Sequence, residues 1–226
     1  GLDEIKTPFE SKKNVIGGST TYSLIAASNN ISVSIVGIIG NDFPDYGHQI
    51  FQSKASNLDD LQVVEGKTFR WGGLYHENWD DRETLYTELG VFSNFQPILT
   101  KSNKNSSHIF LANIHPDLQK SVIEQNENNN AIIVASYGTF STGINIRRLH
   151  NIIFASPSKS RVRNLQSIGR VLRKGKDKVK ATLYDIADDC TLNSRKNYTL
   201  NHFIERIRIY NEEKFNYDIL SIQLRN

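Results

Sequence analysis

The sequence holds no methionine and a single cysteine, Cys190. One thiol cannot close an intramolecular disulfide, which sets aside stapled secreted scaffolds and points to a reducing, intracellular setting. No apolar run approaches the roughly 20 residues that cross a bilayer. The N-terminus lacks the basic-then-apolar pattern of a signal peptide, so a cytoplasmic address in a bacterial or phage-like setting, without membrane partners, is expected. Without a methionine the chain as given does not open at an ordinary start codon, and it reads as a fragment or a processed product. A nucleotide-cradling G-x-x-x-x-G-K-[ST] loop is also missing, which excludes a self-sufficient P-loop ATPase.

What is present is ordinary in bulk and uneven along the chain. At 226 residues, 38% hydrophobic and 23% charged, the protein can bury a core as one large or two small domains. The net charge of +3 hides an asymmetry. Residues 1–125 carry 10 Lys/Arg against 15 Asp/Glu, net −5, whereas residues 126–226 carry 17 against 9, net +8. Between Arg147 and Lys180 there are 11 basic residues and one acid, Asp177. That is the footprint of a phosphate-rich partner, with a solvated surface as the plainer alternative.

The most informative stretch is NLQSIGRVLRK, Asn164 to Lys174. On a helix turning about 100° per residue, Gln166, Arg170 and Arg173 fall in one stripe at i, i+4 and i+7. Val162, Leu165, Ile168 and Leu172 are expected to form the apolar face, and Gly169 leaves room for close approach beside the arginines. Two guanidiniums beside an amide suit a polyphosphate. By spacing alone, a solvated basic helix face is the favoured reading.

Upstream lie AIIVASYGTFSTGIN (131–145) and NIIFASPSKS (151–160). This order of strand, Ser/Thr-Gly turn, strand and Gln-Gly-Arg-Arg helix resembles motifs V and VI of superfamily 2 helicases, in particular the second motor domain of phage UvsW-type repair helicases, from about residue 126 onward. The resemblance implies that Arg173 is an arginine finger, Arg170 a second γ-phosphate contact and Gln166 a helper at the nucleotide. Gly143 and Asn145 would line the nucleotide cleft, although many relatives carry an acid where Asn145 stands. Ser136, with the basic residues Arg147, Arg148 and Lys159, would meet the nucleic-acid backbone, DNA by expectation. ATP and magnesium would bind only with a complementary P-loop domain. Asp188 and Asp189 follow the strand-like TLYDIA, but without the neighbours of a magnesium pair they read as loop or capping residues.

The first half has a different texture. VIGGSTTYSLIAAS (15–28) is a Gly-Gly turn feeding a helix, VSIVGIIG (33–40) an apolar strand, and NDFPDYGHQIFQSKA (41–55) a helix with Asp42 or Asp45 as the expected N-cap. From Leu61 to Pro97 short alternating segments read as antiparallel strands, with Phe69, Trp71 and Tyr75 on one face. LDEIKTPF, GGSTTYSLIAAS, VGIIGNDFP, KTFRWGGLYHENWDDRETLYTELGVFSNFQP and IFLANIHPDLQ together resemble the N-terminal half of PfkB-type, ribokinase-like sugar kinases over about residues 1–122. By that resemblance Asp3, Gly17 and Gly18 contact hydroxyls of a sugar or nucleoside, and 61–97 belongs to a lid. Thr20, Thr21 and Tyr22 stand where the family usually has an asparagine. The family's GAGD-like segment, which carries the general base at a helix N-terminus, is absent, as is its ATP-binding region.

The expected architecture is therefore α/β with a largely parallel sheet: a partial ribokinase-like sheet with a β-ribbon lid (1–122), a join at 123–130, and a partial RecA-like helicase portion (131–226). IFLANI, HPDLQKSVIEQ and AIIVAS would form a β-α-β unit across the join. A basic helix over about 197–213 with Phe203, Ile207 and Tyr210 toward the core, and a last strand-like YDILSIQL, complete the chain. Three functions follow: a partial helicase module that binds nucleic acid and supplies arginine-finger residues; a sugar-kinase relative binding a carbohydrate or nucleoside; or a fusion with no integrated activity.

Overall fold

The computed structural model describes residues 1–78, 81–136, 146, 149–156, 158–173, 178–191, 193 and 195–223. It divides into two compact units, Gly1–Ser136 and Tyr137–Asn226. In the first unit the elements are β1 (Leu2–Lys6), β2 (Ser11–Ile16), α1 (Ser19–Ala27), β3 (Gly37–Gly40), α2 (Asp45–Lys54), β4 (Leu61–Val64), β5 (Arg70–Tyr75), β6 (Arg82–Glu88), a 3-10 turn at Gly90–Asn94, β7 (His108–Leu111), α3 (Pro116–Gln125) and β8 (Ile132–Ala135). The second unit holds β9 (Asn151–Phe154), α4 (Arg161–Val171), β10 (Thr182–Asp185) and α5 (Tyr198–Glu212).

Three strand pairs, β3-β4, β7-β8 and β9-β10, are parallel. Two parallel neighbours cannot be joined by a tight turn, and in each case one helix (α2, α3 or α4) makes the crossover. The fourth sheet has the order β2-β1-β5-β6, with β1 parallel to β5 and the outer strands antiparallel. The fold is thus mixed α/β with parallel sheets. The β-α-β unit expected from IFLANI, HPDLQKSVIEQ and AIIVAS is present, with β8 paired to β7 inside the first unit.

The lid differs from the expectation. Among the described residues of the 61–97 stretch, only β5 and β6 form an antiparallel ribbon; Leu61–Val64 pairs in parallel with β3. Alternation in LQVV shows an extended segment but does not encode the direction of its neighbour. Leu2–Lys6 form β1, one of the two inner strands of the four-stranded sheet. YDILSIQL forms no strand over its described residues, with Ile219, Leu220 and Ile222 exposed.

Two successive glycines lie in the middle of β5. A Cβ on Gly73 would come within 2.1 Å of the Trp71 ring, and one on Gly72 within 2.4 Å of the ring of Tyr86, its partner on β6. The rings therefore lie flat over bare backbone, one on each face of the strand. The Arg82 guanidinium sits 5.3 Å from the Trp71 ring.

The first core gathers Leu2, Leu24, Ile35, Ile39, Phe43 and Phe51, with Phe43 and Phe51 stacked at 5.4 Å. Gly47 passes so close to the Phe43 ring that a Cβ would meet it at 2.6 Å. The second core joins Phe154, Ile168 and Tyr210 with Ile152, Leu183, Ile207 and Phe215.

Asp42 does not cap α2, whose N-cap position is Pro44 with no side-chain cap, and Asp45 is already its first helical residue. Instead Asp42 accepts the amide and hydroxyl of Thr68, both at 2.7 Å, and Arg70 Nη2 at 2.8 Å. Thr68 Oγ1 in turn accepts from the Gly40 amide, so one carboxylate ties the end of β3 to the start of β5. Burial pushes the Asp42 carboxyl up, yet the hydrogen bonds from Thr68 and Arg70 outweigh it and hold the group below its usual range. Its folded pKa thus lies below its unfolded one. The stabilisation is complete above the unfolded value of about 3.9 and is lost as pH falls through the folded value. Both tryptophans, Trp71 and Trp79, lie in the first unit, so urea titration followed by tryptophan fluorescence reads this unit alone. Asp42→Asn is expected to cost about 2 kcal/mol at pH 7 and to show a smaller loss between pH 5 and 3 than the unsubstituted chain. An identical acid limb in the two proteins would overturn the assignment.

Candidate functional sites

In the second unit α4 begins at Ser160, whose Oγ accepts the Arg163 amide at 3.5 Å as an N-cap. The helix buries Asn164, Ser167, Ile168 and Val171 at i, i+3, i+4 and i+7. This corrects the expected apolar face: Val162 and Leu172 are 63% and 56% exposed. The inner face is half polar, so hydrophobic spacing placed it about one residue out of phase. The other stripe lies as expected. Gln166 and Arg173 are exposed and Arg170 is half-buried.

Burial pulls the Arg170 guanidinium below its ordinary value, and the like charge of Arg173 adds to that. Two cations one turn apart, one of them partly desolvated, are stabilised by an anion that bridges them. Among the described residues, a Cβ at Gly169 would meet nothing within 4 Å. At the helix end Lys178 donates to the carbonyls of Val171 and Arg173, where a cation complements the helix dipole. Lys159 is exposed ahead of the N-cap. It is separated from the arginine pair by about the length of α4, roughly 16 Å. Ser136 is exposed at the end of the first unit. Gly143, Asn145, Arg147 and Arg148 lie outside the described residues.

Behind α4 is a charged cluster that sequence reasoning missed. Arg206 on α5 is fully buried; its Nε and Nη2 each donate to Asp185 at 2.7 Å, and Nη1 donates to the Ser158 carbonyl at 3.0 Å. The Tyr210 hydroxyl donates to Asp185 Oδ2 at 2.6 Å; burial first, then this bond to the carboxylate, pushes the phenol far up. A signal existed. Arg206 sits between Phe203 and Tyr210 in the stripe read as core, and an arginine there requires a buried acid.

The first unit gathers Asp3, Gly17 and Gly18. Gly18 has φ of 93°, a conformation suited to glycine, and is the N-cap position of α1, which no side chain caps. A Cβ on Gly17 would fall 2.0 Å from Asp3 Oδ2, so the carboxylate lies directly over the glycine. Burial raises the Asp3 pKa, and the charge of the Gly1 amino group works against that rise. The Thr21 hydroxyl is turned back onto the Gly17 carbonyl at 3.0 Å, and Ser19 Oγ accepts the Asn113 amide at 3.2 Å. Through that bond the backbone of Asn113, in LANIHP, meets the start of α1 beside the Gly17-Gly18 turn. A half-buried acceptor beside bare backbone and the amides of a helix N-terminus suits a hydroxyl-rich ligand. Glu4, on the opposite face of β1, is held below its usual range first by the Tyr86 hydroxyl at 2.9 Å and then by Lys6 and Lys13.

No group of three His, Cys, Asp or Glu residues suited to a metal occurs among the described residues. Asp189 is occupied as a loop acceptor for the amide and hydroxyl of Thr191, as expected. Because the folded pKa of Asp3 exceeds its unfolded one, its ionisation lowers stability as pH rises through that interval, and the cost is absent below the unfolded value. Gly17→Ala displaces the carboxylate. In a carboxyl carbon NMR titration, Asp3 is expected to titrate above the usual range in the unsubstituted chain and to fall back toward about 3.9 in the variant. An unchanged Asp3 titration in Gly17→Ala would refute the contact.

No protein-family model matches the chain. Among curated proteins, the ATP-dependent DNA helicase UvsW of Enterobacteria phage T4 is 46% identical over 103 residues, covering 41% of this chain and 20% of the helicase. The chain therefore spans about a fifth of the length of that relative. Among solved structures, ribokinase from Cryptococcus neoformans var. grubii in complex with ADP superposes with a TM-score of 0.52 at 14% identity, covering 78% of this chain and 60% of that one. An Escherichia coli protein described as a ribokinase II, in complex with ATP and Mg2+, gives 0.53 at 10% identity, covering 81% and 69%. At such identities the likeness shows the fold alone: mixed α/β with ribokinase-like neighbours, beside a partial helicase match.

Proposed function

We propose that the second unit is part of a superfamily 2 helicase motor, which binds nucleic acid and supplies Arg173 and Arg170 to the phosphates of an ATP held by a P-loop domain outside these 226 residues. The observation that carries this reading is the close pair of guanidiniums on the outward stripe of α4, with Arg170 already partly desolvated. The 46% identity to a DNA helicase extends over 103 residues, close to the length of the helicase-like stretch from about residue 126. In this reading Gln166 assists at the nucleotide and Gly143 and Asn145 line its cleft. Ser136, Arg147, Arg148 and Lys159 meet the nucleic-acid backbone. Magnesium enters with the P-loop domain, and the present residues contribute only the electrophilic half of the site.

A second reading concerns the first unit. Asp3 over the Gly17-Gly18 turn, in a fold whose neighbours include ribokinases with bound ADP and ATP, suits a sugar or nucleoside. With no GAGD-like base in the sequence, binding without phosphoryl transfer is expected. The two readings together make the chain a join of a kinase-like and a helicase-like half.

Fluorescence anisotropy with labelled single- and double-stranded DNA tests the first reading. With about four phosphate contacts, affinity is expected to fall about a hundredfold between 50 and 200 mM salt. Arg147→Glu/Arg148→Glu should weaken it strongly at both salt concentrations. Salt-insensitive binding, or none by a folded chain, would remove the reading.

A further inference from the structure

We propose that Arg206 is a positioning residue: it locks the loop that launches α4 and thereby sets where Arg170 and Arg173 point. This rests on the phosphate-binding reading of α4 and adds how the pair is aimed. Arg206 has 0% exposure, and the Asp185 side chain only 8%. Two parallel 2.7 Å bonds from Nε and Nη2 fix the guanidinium plane against the end of β10. Tyr210 adds its hydroxyl to Asp185 Oδ2, and the Phe203 ring lies 5.7 Å from the guanidinium.

The fork leaves Nη1 directed away from Asp185, onto the Ser158 carbonyl at 3.0 Å. The same carbonyl accepts Asn164 Nδ2 at 3.4 Å, from the first turn of α4 itself. Two residues after Ser158 stands Ser160, the N-cap of the helix. The chain of contacts therefore runs from β10 through Asp185 and Arg206 to the carbonyl at which α4 is anchored.

Stability alone does not account for this arrangement. A buried ion pair is commonly no more stabilising than a well-packed apolar pair of the same volume. What an apolar pair cannot provide is a rigid planar donor whose third arm reaches a specified carbonyl. Lysine cannot provide it either. Placement matters here because α4 acts as a lever. Over its length of about 16 Å, a 10° tilt at the N-cap shifts the far end by about 3 Å, enough to take both guanidiniums off a bound phosphate.

The experiment uses the full chain, with Arg206→Lys and, as a milder change, Tyr210→Phe, which removes one hydroxyl without leaving a buried charge. Pyrophosphate is titrated while the side-chain Nε–Hε resonances of Arg170 and Arg173 are followed by NMR, and native-state hydrogen exchange is mapped without ligand. Arg206→Lys is expected to lower pyrophosphate affinity at least tenfold. It should also raise exchange at least tenfold in 163–167, while β9 and β10 keep their protection. Tyr210→Phe should give a smaller change of about threefold at the same residues. Unchanged affinity and exchange in both variants, or a loss of protection spread evenly over the second unit, would overturn the proposal. If the unsubstituted chain fails to shift with pyrophosphate while exchange in 163–167 still rises selectively, the phosphate reading falls and the anchoring of α4 by Arg206 stands.

Discussion

Parallel pairing is the constraint on which the rest of this structure depends. Each of the pairs β3-β4, β7-β8 and β9-β10 requires a crossover, and each is closed by one helix. The crossover leaves the strand at its carboxyl end, and the notable polar residues cluster there. Asn41 and Asp42 follow β3, Asn113 follows β7, Ser158 and Ser160 follow β9, and Asp185 closes β10. In open α/β sheets these are the ends at which ligands are met. The polar contacts just named in both units thus follow one recurring local plan.

That plan was legible in the sequence wherever a run of apolar residues was long enough to show its period. The crossover across the join, β9, α4, β10 and α5 all lie close to where the spacing put them. Legibility failed where a polar residue took a core position. Asn164 and Ser167 occupy the inner face of α4, and Arg206 the inner face of α5, where its partner Asp185 is 21 residues away. Asp42 looked like a cap because a cap needs only local sequence. Its actual partners, Thr68 and Arg70, are 26 and 28 residues away. Strand direction failed for the same reason: LQVV carries no mark of what lies beside it.

The two-stranded sheets also explain an uneven surface. On β7 and β8, Ile109 and Leu111 are buried while Phe110, Ile132 and Val134 are about half exposed; on β9 and β10, Phe154 is buried while Ile153 and Tyr184 are exposed. Alternation sends side chains to both faces of a strand. Apolar residues on both faces are characteristic of sheets covered by helices on both sides.

The glycine pair in β5 has a consequence for how this sheet could change over time. Gly72 and Gly73 weaken a strand in isolation, yet the rings of Tyr86 and Trp71 fill the space their missing side chains leave. Neither partner is free to vary alone. A side chain at either glycine displaces a ring, and a smaller residue at Tyr86 or Trp71 uncovers backbone hydrogen bonds to water. Glycine and aromatic would have to drift as a pair, so among descendants of this sequence the two are expected to be kept or lost together.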